Sequence, residues 1–186
     1  DRRGRSGHLG QRDPSGMSGA VDAYVALGAN LGDRVANLRI AAERLAQLPE
    51  TACLARSAIY ETQPVGGPED QPPYLNAAVH LRTQLSPHAL LNRCLAIEHR
   101  MGRVRNMPNG PRIIDLDVLL HGRTVIATPE LTVPHPRMHA RGFVLLPLAD
   151  IAPDVGHPLL ERTIARLCTE LPRVADACVA TDLTWS

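Results

Sequence analysis

The 186-residue chain contains no lysine; all 20 of its basic residues are arginine. A Walker P-loop, Schiff-base chemistry and the strand lysine of protein kinases each need that side chain, so none of them operates here. A codon bias toward arginine would give the same excess, and the exclusions hold either way. Any phosphate must be held by guanidinium groups. Aromatics are scarce as well: one Phe, one Trp and three Tyr, too few for a base-stacking platform. The net charge of +1 is too weak a field for binding a nucleic-acid backbone. No apolar run approaches the roughly 18 residues that cross a bilayer. Neither a nucleic acid nor a membrane is therefore expected as a partner. Cys53, Cys94, Cys168 and Cys178 are scattered, with no CxxC pair and no histidine at zinc-ligand spacing. That usage points to a reducing compartment, the cytoplasm. What remains is 44% apolar and 21% charged, the balance of one globular domain.

Residues 1–19 are rich in Gly, Arg and Ser and lack hydrophobic periodicity. They read as a disordered leader, with Met17 a candidate start. The folded unit is expected over 20–171, with 172–186 a tail. Alternation from Val21 to Leu27 predicts a strand, and GANLGD (28–33) a turn into a helix over 33–47, which Pro49 ends. A second strand is expected over 52–61. The stretch 62–73 carries four Pro and two Gly and is a loop of unusual length for a compact domain. A strand follows over 74–83. Ser86-Pro87 then opens a helix ending at Met101-Gly102. After the irregular 103–112 come a strand over 113–120, a short strand over 123–127 hairpinning back on it, and a loop-rich 128–142. Helices are expected over 141–149 and 159–171. This order predicts an α+β fold with a ferredoxin-like βαββαβ core, a mostly antiparallel sheet with helices packed on it.

The chemistry concentrates in GPRIIDLDVLL (110–120). Residues two apart on a strand share a face, so Asp115 and Asp117 project together while Ile114, Leu116 and Val118 face the core. Their Cα atoms lie about 6.6 Å apart. At that distance two carboxylates repel by about 2.5 kcal/mol at an effective dielectric of 20. Two readings follow: solvated acids on a half-exposed strand, or hard oxygen ligands for Mg²⁺ completed by water and phosphate. The flanking Gly-Pro-Arg and the arginine-bearing loop favour the second. Arg112 has the fork to hold a polyphosphate oxygen. Arg103 and Arg105 lie on the same loop and Arg141 on another, where they could close over phosphates or simply be solvated. Tyr74 and Asn76 share a strand face, and two aromatics with an amide can read a flat heterocycle. Phe143 is either the second of those aromatics or a core residue of the short helix. His135 and His139 are four apart, but Pro134 and Pro136 interrupt any helix there. Zinc is disfavoured, and His135 reads as a hydrogen-bond donor to phosphate or nucleotide.

Together these segments resemble the 6-hydroxymethyl-7,8-dihydropterin pyrophosphokinase family of folate biosynthesis. The resemblance spans most of 21–158 and rests on ALGANLGD (26–33), Tyr60-x-Thr62-x-Pro64-x-Gly66, DQPPYLNAAV (70–79), IEHRMGRVR (97–105), GPRIIDLDVLL, LTVPHPRM (131–138) and RGFVLLPLADIAPD (141–154). It implies transfer of pyrophosphate from ATP to the hydroxymethyl oxygen of the pterin, releasing AMP. It further implies two Mg²⁺ ions on Asp115 and Asp117, with Arg103 and Arg105 on a catalytic loop. Glu98, Arg112, Val118, Thr132, His135 and Arg141 would line the ATP site. Thr62, Pro64, Val65, Gly66, Tyr74, Asn76 and Phe143 would bind the pterin. A monomer is expected. The chain departs from the family pattern at Leu95, Pro108, Asn109 and Pro136. A nucleotide-binding module without turnover is the competing reading, separated by whether nucleotide binding needs Mg²⁺.

Overall fold

Strand β1 (Val21–Ala29) has two buried faces, and this sets the architecture. Ala23, Val25, Leu27 and Ala29 point to one layer, and Tyr24 and Ala26 to the other. The computed structural model describes residues 18–64, 66–103, 110–172 and 178–186. Arg105, Val65, Pro108, Asn109 and residues 1–17 of the leader lie outside them.

The main sheet runs β5-β1-β4-β3-β8, with β2 also on β4. Its strands are β1, β2 (Thr51–Arg56), β3 (Tyr60–Thr62), β4 (Tyr74–Thr83), β5 (Asp115–His121) and β8 (Val179–Ala180). Every pairing is antiparallel. With β2 and β3 taken as one interrupted strand, the order is that of the ferredoxin-like core. Helices α1 (Arg34–Ala46) and α2 (Pro87–Arg100) cover one face through Leu38, Ala42, Leu45, Leu90, Cys94 and Ile97. Helices α3 (Gly142–Ile151) and α4 (Ile164–Glu170) cover part of the other through Val144, Leu145, Leu148, Ile164 and Leu167.

Local chemistry explains the helix starts. Asp33 caps α1 by accepting from Ala36 N at 3.0 Å, and Ser86 caps α2 by accepting from Ala89 N at 3.2 Å, with Pro87 following. Each cap contributes about 1 kcal/mol. Leu38 and Leu45 are fully buried, and truncating either to alanine would cost about 2–5 kcal/mol.

Three expectations need correction. The strand over 52–61 is split, because the Ser57 hydroxyl takes the amide of Ala78 at 2.9 Å and itself donates to Ala58 O at 2.7 Å. Those bonds replace regular pairing between β2 and β3. The 123–127 segment does not pair with 113–120. β6 (Ile126–Ala127) pairs with β7 (Thr132–Val133) instead, while the outer edge of β5 receives His135 N on Leu119 O at 2.9 Å. The last helix begins only at Ile164. Thr163 caps it, and Glu161 at φ +52° turns the chain just before.

Candidate active site

Strand register builds the site before any loop contributes. Gly28 of β1 pairs with Asp115 on one side and Asn76 on the other; Ala26 pairs with Asp117. On the far side of β4, Thr62 pairs with Tyr74 and Tyr60 with Asn76. These residues share the sheet face opposite α1 and α2. A Cβ on Gly28 would meet Asn76 Oδ1 at 3.5 Å and Tyr74 Cδ1 at 3.8 Å. Small residues on β1 therefore leave a low floor between the acidic strand and the amide-bearing one. Above it is a cleft of roughly 510 Å³ lined by Thr62, Gly66, Tyr74, Asn76, Arg112, Asp115, Asp117, Arg141 and Phe143, among others. Nine residues singled out in the sequence thus meet in one place.

The cleft has two chemically distinct ends. At one, Asn76 is 5% exposed and donates through Nδ2 to Thr62 Oγ1 at 2.8 Å. Tyr74 donates through its hydroxyl to Gly110 O at 3.3 Å, and burial raises its pKa. The Arg141 guanidinium lies over the Phe143 ring at 5.4 Å, a cation–π contact that orients both groups. Phe143 is half-buried at the start of α3, packing on the core and lining the cleft at once.

At the other end, charge dominates. Asp115 Oδ2 accepts from Arg112 Nη1 at 2.6 Å, and Arg103 Nη1 bridges Asp115 Oδ1 and Glu98 Oε1. Glu98, 3% exposed, also accepts from Leu116 N at 2.8 Å. It thereby ties the end of α2 to β5. Burial pushes the Asp115 pKa upward, but Arg103 and Arg112 outweigh it and hold the group below its ordinary value. Asp117 behaves oppositely. Burial, then the charges of Asp115 and Glu98, raise it to about 6. One acid is thus compensated by arginines, and its neighbour carries negative charge that the protein leaves largely unbalanced.

That donor set suits Mg²⁺, which takes one or two carboxylates and completes its shell with water and phosphate oxygens. Among the described residues no group of three or more His, Cys, Asp or Glu could hold a metal ion by itself. Burial and the nearby Arg141 and Arg137 lower His135 to about 4, so it stands neutral at pH 7.

The other described residues expected at the site, Pro64, Glu98, Arg103, Val118, Thr132 and His135, are not among those lining the cleft. Arg103 and Glu98 sit beneath Asp115. Thr132 is exposed on β7, and His135 is anchored on β5. Val118 is 4% exposed and packed in the core on the face away from Asp117, which leaves only its backbone for a ligand. Sequence reasoning missed Arg137, Ala140 and Gln63, which also line the cleft. It missed Asn30 too. Asn30 is 1% exposed and donates to Gln71 Oε1 at 3.3 Å and Pro72 O at 3.2 Å, tying the long loop to the end of β1. Its signal was present in the GAN turn, since an asparagine at a strand end is suited to local backbone bonding.

Comparison with known proteins agrees with this geometry. Residues 24–153 match the family model described as 7,8-dihydro-6-hydroxymethylpterin-pyrophosphokinase. The 2-amino-4-hydroxy-6-hydroxymethyldihydropteridine pyrophosphokinase of Methylorubrum extorquens is 46% identical over 147 residues, covering 78% of this chain and 92% of that protein. The Bacillus subtilis protein of the same name is 50% identical over 133 residues, covering 72% and 79%. The wild-type Plasmodium falciparum HPPK-DHPS crystal structure with STZ-DHP superposes with a TM-score of 0.65 at 17% identity, over 81% of this chain. At that identity it supports the fold alone, and this chain spans only 43% of that one. No helix among the described residues is long and apolar enough to cross a membrane. The chain belongs to the 7,8-dihydro-6-hydroxymethylpterin-pyrophosphokinase family.

Proposed function

We propose that this protein transfers the β,γ-pyrophosphoryl group of ATP to the hydroxymethyl oxygen of 6-hydroxymethyl-7,8-dihydropterin in folate biosynthesis, releasing AMP. The bond from the pterin oxygen to the β-phosphorus forms as the bond from that phosphorus to the α-phosphate oxygen breaks, and the hydroxyl proton is lost. One observation carries the reading. A single cleft joins a flat-ring pocket (Tyr74, Asn76, Thr62, Phe143) to an acidic end (Asp115, Asp117, Arg112), with Arg141 over Phe143 and acting on Asp117 between them. That is the arrangement a heterocyclic acceptor and a metal–polyphosphate donor require.

Phosphoryl-type transfer asks a protein mainly for positioning and charge stabilisation. Asn76 and Thr62, with the backbone from Thr62 to Gly66 and Pro64 and Val65 within it, hydrogen-bond and shape the ring edge; Tyr74 and Phe143 take its faces. Asp115 and Asp117 would hold two Mg²⁺ ions, which would supply charge neutralisation at the triphosphate and acidify the acceptor hydroxyl. Arg112 and Arg141 grip phosphate oxygens, and Arg103 and Arg105 offset charge developing at the transfer. Neutral His135, with Glu98, Thr132 and the Val118 backbone, borders the nucleotide. The 62–73 and 103–112 segments exclude water from a transfer that hydrolysis would otherwise divert. The protein acts as a monomer in the cytoplasm, with residues 20–171 carrying the groups that meet the substrates. Incubation with ATP, Mg²⁺ and the hydroxymethyl-dihydropterin tests it: AMP and pterin diphosphate form in equal amounts. Metal-independent nucleotide binding without AMP would instead make the protein a binding module.

A further inference from the structure

The only tryptophan of the chain lies outside the residues that match the family model. Residues 178–186 run along the outer edge of β3, and β8 pairs Val179 with Glu61 and Ala180 with Tyr60. Beyond β8, Thr181 gives both its amide, at 2.9 Å, and its hydroxyl, at 2.8 Å, to Ile59 O. Trp185 Nε1 then donates to Ser57 O at 2.7 Å; its ring packs against the core, with the Arg56 guanidinium 5.4 Å away.

These contacts fall on the weakest part of the sheet. Ser57, Ala58 and Ile59 form the interruption between β2 and β3, and β3 is only three residues long. A strand that short has little ladder of its own to hold it. Its other supports include β4, Asp150 of α3, which accepts from Ala58 N at 3.2 Å and from the Tyr60 hydroxyl at 3.0 Å, and Arg34 of α1, which donates to Glu61 Oε2 at 3.0 Å. At the far end of β3, Thr62 accepts the Asn76 bond at 2.8 Å inside the cleft. The strap therefore holds Glu61, Tyr60 and Ile59, one to three residues before Thr62, which faces the proposed pterin site. It lies at the opposite edge of the sheet from β5, which carries Asp115 and Asp117.

We infer that the 178–186 strap, anchored by Trp185 and Thr181, positions β3 so that Thr62 and Asn76 hold the pterin edge. Trp185 is a positioning residue acting through Ser57 and β3 on one of the two substrates. On the pyrophosphokinase reading above, its loss weakens the pterin end of the cleft and spares the ATP end.

Steady-state AMP release by the full chain tests this, with each substrate varied at saturating levels of the other and at a temperature where thermal denaturation confirms a folded protein. Trp185→Ala raises KM for the hydroxymethyl-dihydropterin about three- to tenfold, the range for losing an anchoring hydrogen bond. KM for ATP stays within about twofold. Trp185→Phe, which keeps a packed ring and loses the N–H, falls between. If Trp185→Ala does not fold, Thr181→Val carries the same test, since it removes one of two bonds to Ile59 O. An unchanged pterin KM, or equal rises in both KM values, would overturn the positioning role while leaving the activity standing. Absence of AMP from the unsubstituted protein would remove the activity and this role together.

Discussion

Asn30 and Arg112 hold each other twice: Asn30 N donates to Arg112 O at 3.1 Å, and Arg112 N donates to Asn30 Oδ1 at 2.8 Å. The same side chain reaches Gln71 and Pro72 through its amide nitrogen. One buried residue thus clasps the segment leading into β5 to the end of the long loop. Asn30→Ala leaves the half-buried Arg112 amide unpaired and should destabilise the protein by about 1–3 kcal/mol in urea denaturation. Asn30→Asp keeps the bond to Arg112 but faces the Pro72 carbonyl with an acceptor, so it should loosen the long loop alone. Proteolysis confined to 62–73 in Asn30→Asp would verify that division.

Phe143→Ala should weaken pterin binding by about 1–3 kcal/mol, the worth of one stacked ring face. Affinity for a non-hydrolysable ATP analogue should change far less. Calorimetric titration of each ligand makes the comparison. Equal losses would mean that the ring serves only the core beneath α3.

Arg103 bridges a buried glutamate and Asp115, so it has a structural partner before any substrate arrives. If it also offsets charge in the transfer, Arg103→Ala should lower kcat by about 10²–10³. KM for ATP should move much less. A rise in KM at constant kcat would restrict Arg103 to holding Glu98 and Asp115 in place.

The raised pKa of Asp117 has a signature in stability. Its folded value is about 6 against an ordinary 3.8, through burial and then the charges of Asp115 and Glu98. A carboxyl raised in this way contributes stability below the unfolded pKa that is lost as pH climbs through the folded one. Without metal, the protein should therefore lose stability between about pH 4 and pH 6 through this group. Asp117→Asn removes that loss and should melt above the parent protein at pH 7.5. Such a gain at the expense of activity is the mark of a residue kept for chemistry. Thermal melts of both proteins at pH 4 and pH 7.5, in chelator, decide it.

Much of this was legible in the chain. The Val21–Leu27 and 74–83 alternations, and the Ser86-Pro87 helix start, are local signals, and the structure places β1, β4 and α2 there. The Asp115/Asp117 pair followed from strand period alone, as did the burial of Leu116 and Val118. What escaped depends on partners distant in sequence. The β2–β3 interruption follows from the Ser57 hydroxyl meeting Ala78. Trp185 reaches Ser57 from 128 positions away, and Asn30 meets Gln71 from 41. The 123–127 segment was misassigned because alternation identifies a strand without naming its neighbour.

Two acids on β5, Asp115 and Asp117, should be indispensable to a metal-assisted transfer. The most direct measurement is AMP release by Asp115→Asn and Asp117→Asn with ATP, saturating Mg²⁺ and the hydroxymethyl-dihydropterin, each variant first verified as folded. Turnover should fall by about three orders of magnitude or more in both, about 4 kcal/mol of lost transition-state stabilisation. Near-parental AMP release from either variant would contradict the account.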